Sequence, residues 1–119
     1  MKFTKEHEWA KLEGDIVTIG ITDYAAHQLG DVVFVELPSV GSKVTMGKTF
    51  GTIESVKTVS DLYAPVGGEV VEVNEGLEGN PAMVNESPMD AGWIVKIKVA
   101  DAKEFDSLLS EADYKKICE

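Results

Sequence analysis

The chain contains no arginine, a single cysteine, two histidines and no long apolar run. Each shortage removes a class of function. Without arginine there is no planar fork for bidentate capture of phosphate or carboxylate. The 11 lysines stand against 21 acidic residues, for a formal charge of −10. Nucleic-acid binding is therefore not expected, because it draws on cations that displace phosphate counterions; an acidic surface suits steered encounters with basic partner faces instead. With Cys118 alone, neither an internal disulfide nor a cysteine-based metal cluster can form, which fits a reducing compartment. Cys118 reads as a free thiol without a role. His7 and His27 lack the companions of a metal site, and no interpretable Ser-His-acid set offers hydrolysis. Crossing a bilayer takes ~20 apolar residues in a row, and the MKFTKEHEW start has neither an apolar targeting core nor an Arg- and Ser-rich amphipathic stretch. A cytoplasmic protein with no membrane contact is expected.

What is present reads as one domain, residues 1–119. Such a chain buries roughly two-thirds of its unfolded surface, enough for a core but not for a cleft between two lobes. Glu8 to Ile21 predicts a hairpin turning at Glu13-Gly14-Asp15, and Thr22 a cap for a short helix that Gly30 stops. Strands are expected at Asp31 to Leu37, Thr49 to Glu54, Val59 to Ala64 and Glu69 to Val73, the last with Val71 and Val73 on one face. Asn74 to Val84 reads as turns. Trp93 to Val99 shows the clearest alternation, with Trp93, Val95, Ile97 and Val99 on one side and Lys96 and Lys98 on the other. The period then changes. Asp101 and Glu104 fit a capping box, Phe105, Leu108, Leu109 and Ala112 recur at helical spacing, and Ser110 can start a final helix. A C-terminal helical appendage over about 101–117 follows. Val35-Glu36-Leu37 with Gly41 faintly repeats in Val71-Glu72-Val73 with Gly76, as two half-units of a sandwich would. Gly67-Gly68 and Gly76-x-x-Gly79 lack the strand-to-helix context of a phosphate cradle and read as turns. Trp9 and Trp93 are expected in the core or lining a cleft.

Between these half-units lies GTIESVKTVSDLYAPVGGEV, Gly51 to Val70, with Lys57 near its centre. Two β-forming segments hold the lysine at a tip over Ser55 to Thr58. Glu54 and Asp61 flank it as candidate recognition charges, and the short side chains of Ser55, Thr58 and Ser60 leave the amine open to a modifying enzyme. A lone surface lysine is ordinarily solubilising charge; one fixed on a rigid hairpin can be an attachment point. Lysine extended by an eight-carbon acyl chain contains about a dozen bonds and reaches on the order of 14 Å. Such a tether raises the effective concentration of its cargo at each docked partner.

The segments KEHEW (Lys5 to Trp9), GITDYA (Gly20 to Ala25), LGDVVFVELPSVG (Leu29 to Gly41), the Lys57 unit, Asn80-Pro81, Val84-Asn85 and Gly92-Trp93 occur in order along the whole chain. In these the chain resembles the H proteins of the glycine cleavage system. The resemblance implies a mainly β fold, the barrel-sandwich hybrid of lipoyl and biotinyl carriers with short peripheral helices. It implies a non-catalytic carrier with lipoate attached covalently to Lys57. The cargo would be an aminomethyl group loaded by glycine decarboxylase (P protein) and relayed through aminomethyltransferase (T protein). Electrons would then pass to dihydrolipoamide dehydrogenase (L protein), and lipoate-attaching enzymes would modify Lys57. The resemblance also implies a cleft for the loaded arm, lined by Glu6, Glu8, Gln28 and Asp61 near the His7 and Trp9 segment. Some members carry histidine where this chain has Gln28. For Glu6 and Glu8 the competing reading is a solvated acidic edge. The compartment would be the cytoplasm, or the mitochondrial matrix for a processed eukaryotic form.

Rival readings stay in view. A biotin carrier would place methionines beside the lysine, where this chain has Val56 and Thr58. A lipoyl domain of a 2-oxoacid dehydrogenase would lack KEHEW and the terminal helices. An H-like lipoate relay, and an acidic β-sandwich interaction module whose Lys57 is never modified, complete the set.

Overall fold

The computed structural model describes residues 1–118. Strands β1 (Lys2–Phe3), β2 (Glu8–Glu13) and β3 (Ile16–Ile21) open the chain. Glu13 pairs with Ile16, so the β2–β3 turn is the two residues Gly14-Asp15, with Gly14 at φ 65°. Helix α1 (Asp23–Leu29) begins where the Thr22 hydroxyl accepts from the Ala25 N–H and ends at Gly30, as expected of its cap residues. Then come β4 (Val32–Glu36), β5 (Lys43–Val44), β6 (Thr49–Ser55), β7 (Val59–Tyr63), β8 (Gly68–Val73), the one-turn helices α2 (Gly76–Gly79) and α3 (Met83–Glu86), β9 (Val95–Val99), α4 (Ala102–Asp106) and α5 (Glu111–Cys118).

The strands form two antiparallel sheets, of six strands in the order β1-β2-β3-β9-β8-β5 and of three in the order β4-β6-β7. Alternation in each strand supplies the residues that fill the core. Val17 and Ile19 from β3, Val70 from β8, and Val95 and Ile97 from β9 face Val35 from β4, Ile53 from β6 and Leu62 from β7, all buried in one cluster. A fully buried aliphatic side chain of this size contributes about 1.5–3 kcal/mol. This is the mainly β sandwich with peripheral helices that the residue pattern predicts. A second, smaller cluster of Phe3, Trp9 and Tyr114 joins α5 to the sheet edge. Gly20 makes that possible: a Cβ there would lie 2.7 Å from the Trp9 indole nitrogen, which instead donates to the Pro88 carbonyl at 2.8 Å.

Four local expectations fail for physical reasons. In β8 a bulge between Val70 and Glu72 resets the alternation, so Val70 is buried and Val71 is exposed. The faint repeat therefore equates a buried Val35 with an exposed Val71. Asn74 to Val84 is not merely turns: α2 and α3 form without side-chain caps because Leu77 and Val84 are each driven fully into the core. The capping box at Asp101 is half formed. Asp101 accepts from the Lys103 N–H, but Glu104 turns away to accept from the Gly67 N–H at 2.8 Å. Finally, Phe105, Leu108, Leu109 and Ala112 do not share a helix. Leu109 leaves the helical path and exchanges two 2.8 Å backbone hydrogen bonds with Phe3, and Ser110 then starts α5.

Candidate functional site

Strands β6 and β7 carry Lys57 at their shared tip. Ser55 N–H donates to the Thr58 carbonyl at 2.8 Å, and the Ser55 hydroxyl accepts from the Lys57 and Thr58 N–H groups, both at 3.2 Å. Ser55 is thus a buried organiser of the turn rather than a small residue that merely clears space. Val56 N–H donates to the Asp31 carbonyl at 3.0 Å, tying the tip to the segment between α1 and β4. Lys57 is exposed, and its aliphatic stem crosses Gly30: a Cβ at Gly30 would lie 3.0 Å from Lys57 Cε. Gly30 also has φ 75° and ψ −159°, a conformation open essentially to glycine alone.

Glu54 and Asp61 are both exposed on this hairpin, Glu54 opposite Val59 and Asp61 opposite Thr52. The register places Phe34 beside Glu54 on one side and Val59 on the other. Both apolar side chains are more than half exposed, at 51% and 61%. The sequence reading missed this apolar pair, because Phe34 and Val59 sit in strands where aromatic and β-branched residues are expected anyway.

The four anticipated cleft residues come together. Glu6, Glu8, Gln28 and Asp61 line a single cavity of about 320 Å³, along with His7 and Tyr24. Helix α1 supplies one wall, the β6–β7 hairpin the other, and the segment leading into β2 the floor. Trp9 is not part of it, lying in the second cluster; Trp93 is half-buried outside it, beneath the Lys96 ammonium. Glu54 also lies outside the cavity. A second cavity of about 320 Å³ opens beside Glu6 and Glu8, lined by apolar groups including Phe3, Met46, Pro65 and Leu108, and it reaches neither Gln28 nor Asp61.

Glu6 is exposed, but Glu8 is only 2% exposed, so the solvated-edge reading fails for Glu8. Its two oxygens accept from the Thr4 hydroxyl at 2.7 Å and the Tyr63 N–H at 3.1 Å. Burial nevertheless outweighs these donors and raises its carboxyl to about 7. The cavity floor therefore holds an acid that is readily ionised by a cation and readily protonated without one. Beside it, His7 has φ 70° and places Nδ1 2.7 Å from the Tyr114 hydroxyl, which lies 2.7 Å from the Thr22 hydroxyl. Burial lowers the His7 pKa against the opposing pull of Glu6. Helix α5 thereby pins both the His7 turn and the start of α1. Among the described residues, no group of three or more His, Cys, Asp or Glu could hold a metal ion, and no helix is long and apolar enough to cross a membrane.

A two-sheet sandwich with one lysine on a hairpin tip, and an acid-floored cavity beside it, defines a carrier of a covalently tethered group. The family model described as Glycine cleavage H-protein matches residues 1–119. The chain is 57% identical over 117 residues to the Glycine cleavage system H protein of Staphylococcus haemolyticus, covering 98% of this chain and 93% of that protein. It is 57% identical over 114 residues to that of Geobacillus kaustophilus, covering 96% and 90%. The crystal structure of a glycine cleavage system H protein from Mycobacterium marinum superposes with a TM-score of 0.89 at 40% identity, covering 97% of this chain and 93% of that one. The chain belongs to the glycine cleavage H-protein family. It is a lipoyl-bearing shuttle of the glycine cleavage system, a carrier and not an enzyme.

Proposed function

We propose that residues 1–119 work as one lipoyl-carrier domain whose attachment point is Lys57, and that the Glu8 cavity receives the loaded end of the arm. The exposure of Lys57 on a tip fixed by Ser55 and Asp31 carries this reading. Lys57 would hold the lipoyl group through an amide, and the group would supply a disulfide–dithiol couple for aminomethyl and electron transfer while staying attached to the arm. The chain's own residues present the arm, shelter its end and meet its partners. A cationic aminomethyl group entering the cavity would pair with Glu8 as carboxylate, a charge-assisted contact stronger than a neutral hydrogen bond. Because burial raises the Glu8 carboxyl to about 7, that pairing would release about half a proton per molecule near pH 7. Gln28 offers an amide at the rim but no titratable group, and Asp61 adds a second negative charge on the opposite wall.

The partners in this reading are glycine decarboxylase, aminomethyltransferase, dihydrolipoamide dehydrogenase and the lipoate-attaching enzymes, with neither nucleic acid nor membrane among them. Glu54 and Asp61, with Phe34 and Val59 on either side of Glu54, would form the face that the attaching enzymes recognise. The relatives named above are bacterial, which favours the cytoplasm. The test is the intact mass of protein purified from lipoate-replete cells. Wild type should carry one lipoyl increment and Lys57→Arg none; an increment that survives in Lys57→Arg would move the attachment elsewhere.

A further inference from the structure

Asn85 sits on α3, far in sequence from the lysine hairpin, and both polar atoms of its amide bond to the segment that receives that hairpin. Nδ2 donates to the Gly30 carbonyl at 2.7 Å, and Oδ1 accepts from the Val32 N–H at 2.8 Å. These partners bracket Asp31, whose carbonyl accepts from Val56 at the tip. Gly30 lies under the Lys57 stem, and Val32 pairs with Ser55, the residue that organises the turn. One side chain thus bonds to Gly30 and Val32 and brackets Asp31, and each of these three residues touches a different part of the tip. The neighbouring Val84 is fully buried, so the amide projects from an anchored support.

We infer that Asn85 is a positioning residue for Lys57, holding the segment from Gly30 to Val32 in the shape that fixes where the lysine stands when an attaching enzyme docks. This rests on the reading of Lys57 as the attachment point. Gly30 and Asp31 lie outside α1 and β4, and the Asp31–Val56 hydrogen bond is the terminal bond of the β4–β6 pairing, next to Val32 opposite Ser55. Without the amide, this terminal bond of the β4–β6 pairing can fray, the Asp31 carbonyl turns from Val56, and the tip keeps the Ser55 contacts and the strand pairing further along β6. The lysine then samples more poses than the enzyme can accept. A binding-competent fraction reduced to about a tenth raises the apparent dissociation constant about tenfold, while turnover after docking is unchanged.

A matched control exists in the same chain. Asn74 also makes two backbone hydrogen bonds through its amide, its Nδ2 donating to the carbonyls of Ala91 at 2.9 Å and Trp93 at 2.7 Å, and none of these residues adjoins the tip. Asn85→Ala, Asn85→Asp and Asn74→Ala are compared in the full-length unmodified protein. Asn85→Asp keeps an acceptor for Val32 but sets an oxygen against the Gly30 carbonyl, and it supplies both readouts if Asn85→Ala does not fold. Amide hydrogen exchange at Val56 should accelerate about tenfold or more in the Asn85 variants and not in Asn74→Ala. With a lipoate-attaching enzyme, KM for the protein should rise roughly tenfold in the Asn85 variants, with kcat within about twofold of wild type. Unchanged Val56 exchange, or equal changes in Asn74→Ala, would overturn the inference and leave Asn85 a strut like Asn74. If wild-type Lys57 accepted no lipoyl group, the attachment reading would fall, while the exchange comparison would still decide whether Asn85 fixes the tip.

Discussion

The hairpin tip and the Glu8 cavity solve opposite problems with the same scaffold. At the tip, Lys57, Val56 and Val59 are exposed, and order comes from backbone hydrogen bonds to Ser55 and Asp31. In the cavity, Glu8 is almost wholly removed from water, held by two donors and raised to about 7. The tip keeps a charged group reachable by enzymes. The cavity keeps an acid out of water, and in the proposed reading it does so until a cation arrives. The proposed function uses both, with the cargo handed over at one place and sheltered at the other.

Removing the acid should have the largest effect and should leave the tip untouched. Glu8→Ala should still be lipoylated, yet the aminomethyl-loaded protein, isolated from its partners, should lose its cargo to water ~10- to 100-fold faster, the range a lost charge-assisted contact implies. Release of ammonia over time measures this. A rate equal to wild type would show that the arm does not rest on Glu8. At the tip, Gly30→Ala forces a β-carbon into a glycine conformation and against the Lys57 stem. It should cost about 1–3 kcal/mol in denaturant unfolding, whereas Gly79→Ala, with open space around it, should stay within about 0.5 kcal/mol of wild type.

Titration sharpens the contrast further. Glu8 has a folded value near 7 against an ordinary 4.5. Its contribution to stability is therefore fully present below about pH 4.5 and is lost as pH rises through 7. Glu8→Gln, which cannot ionise, should gain on wild type between pH 5 and 8, by on the order of 3 kcal/mol across the window. Parallel unfolding free energies at both pH values would remove the buried-acid account. The smallest effect belongs to the acids of the hairpin. Glu54→Gln and Asp61→Asn are exposed changes that should raise KM for a lipoate-attaching enzyme a few-fold, less so at high salt, with little change in stability.

Much of this was legible in the residues. The β2–β3 hairpin, the capped α1, the lysine hairpin and the alternating β9 each carry a local signal, in turn glycines, cap hydroxyls and period-two valines. Lys57 could be singled out from spacing, but the cavity could not: Glu8, Gln28 and Asp61 come from three separate elements, and only their resemblance to a known family grouped them. That Glu8 is buried while Glu6 two residues earlier is exposed depends on the turn at His7, which no local pattern announces. The helices α2 and α3 were hidden because a four-residue helix shows no periodicity, and the break before Leu109 because its backbone is claimed by Phe3 across the whole chain.

The central claim is that the cargo is carried on Lys57 and nowhere else. The most direct measurement incubates the lipoylated protein with glycine and a glycine decarboxylase, then maps the product by peptide mass. The lipoyl and aminomethyl increments should both fall on the peptide that contains Lys57, and Lys57→Arg should show neither on any peptide. Either increment on another of the 11 lysines, or a lipoylated Lys57 that glycine never loads, would contradict the account.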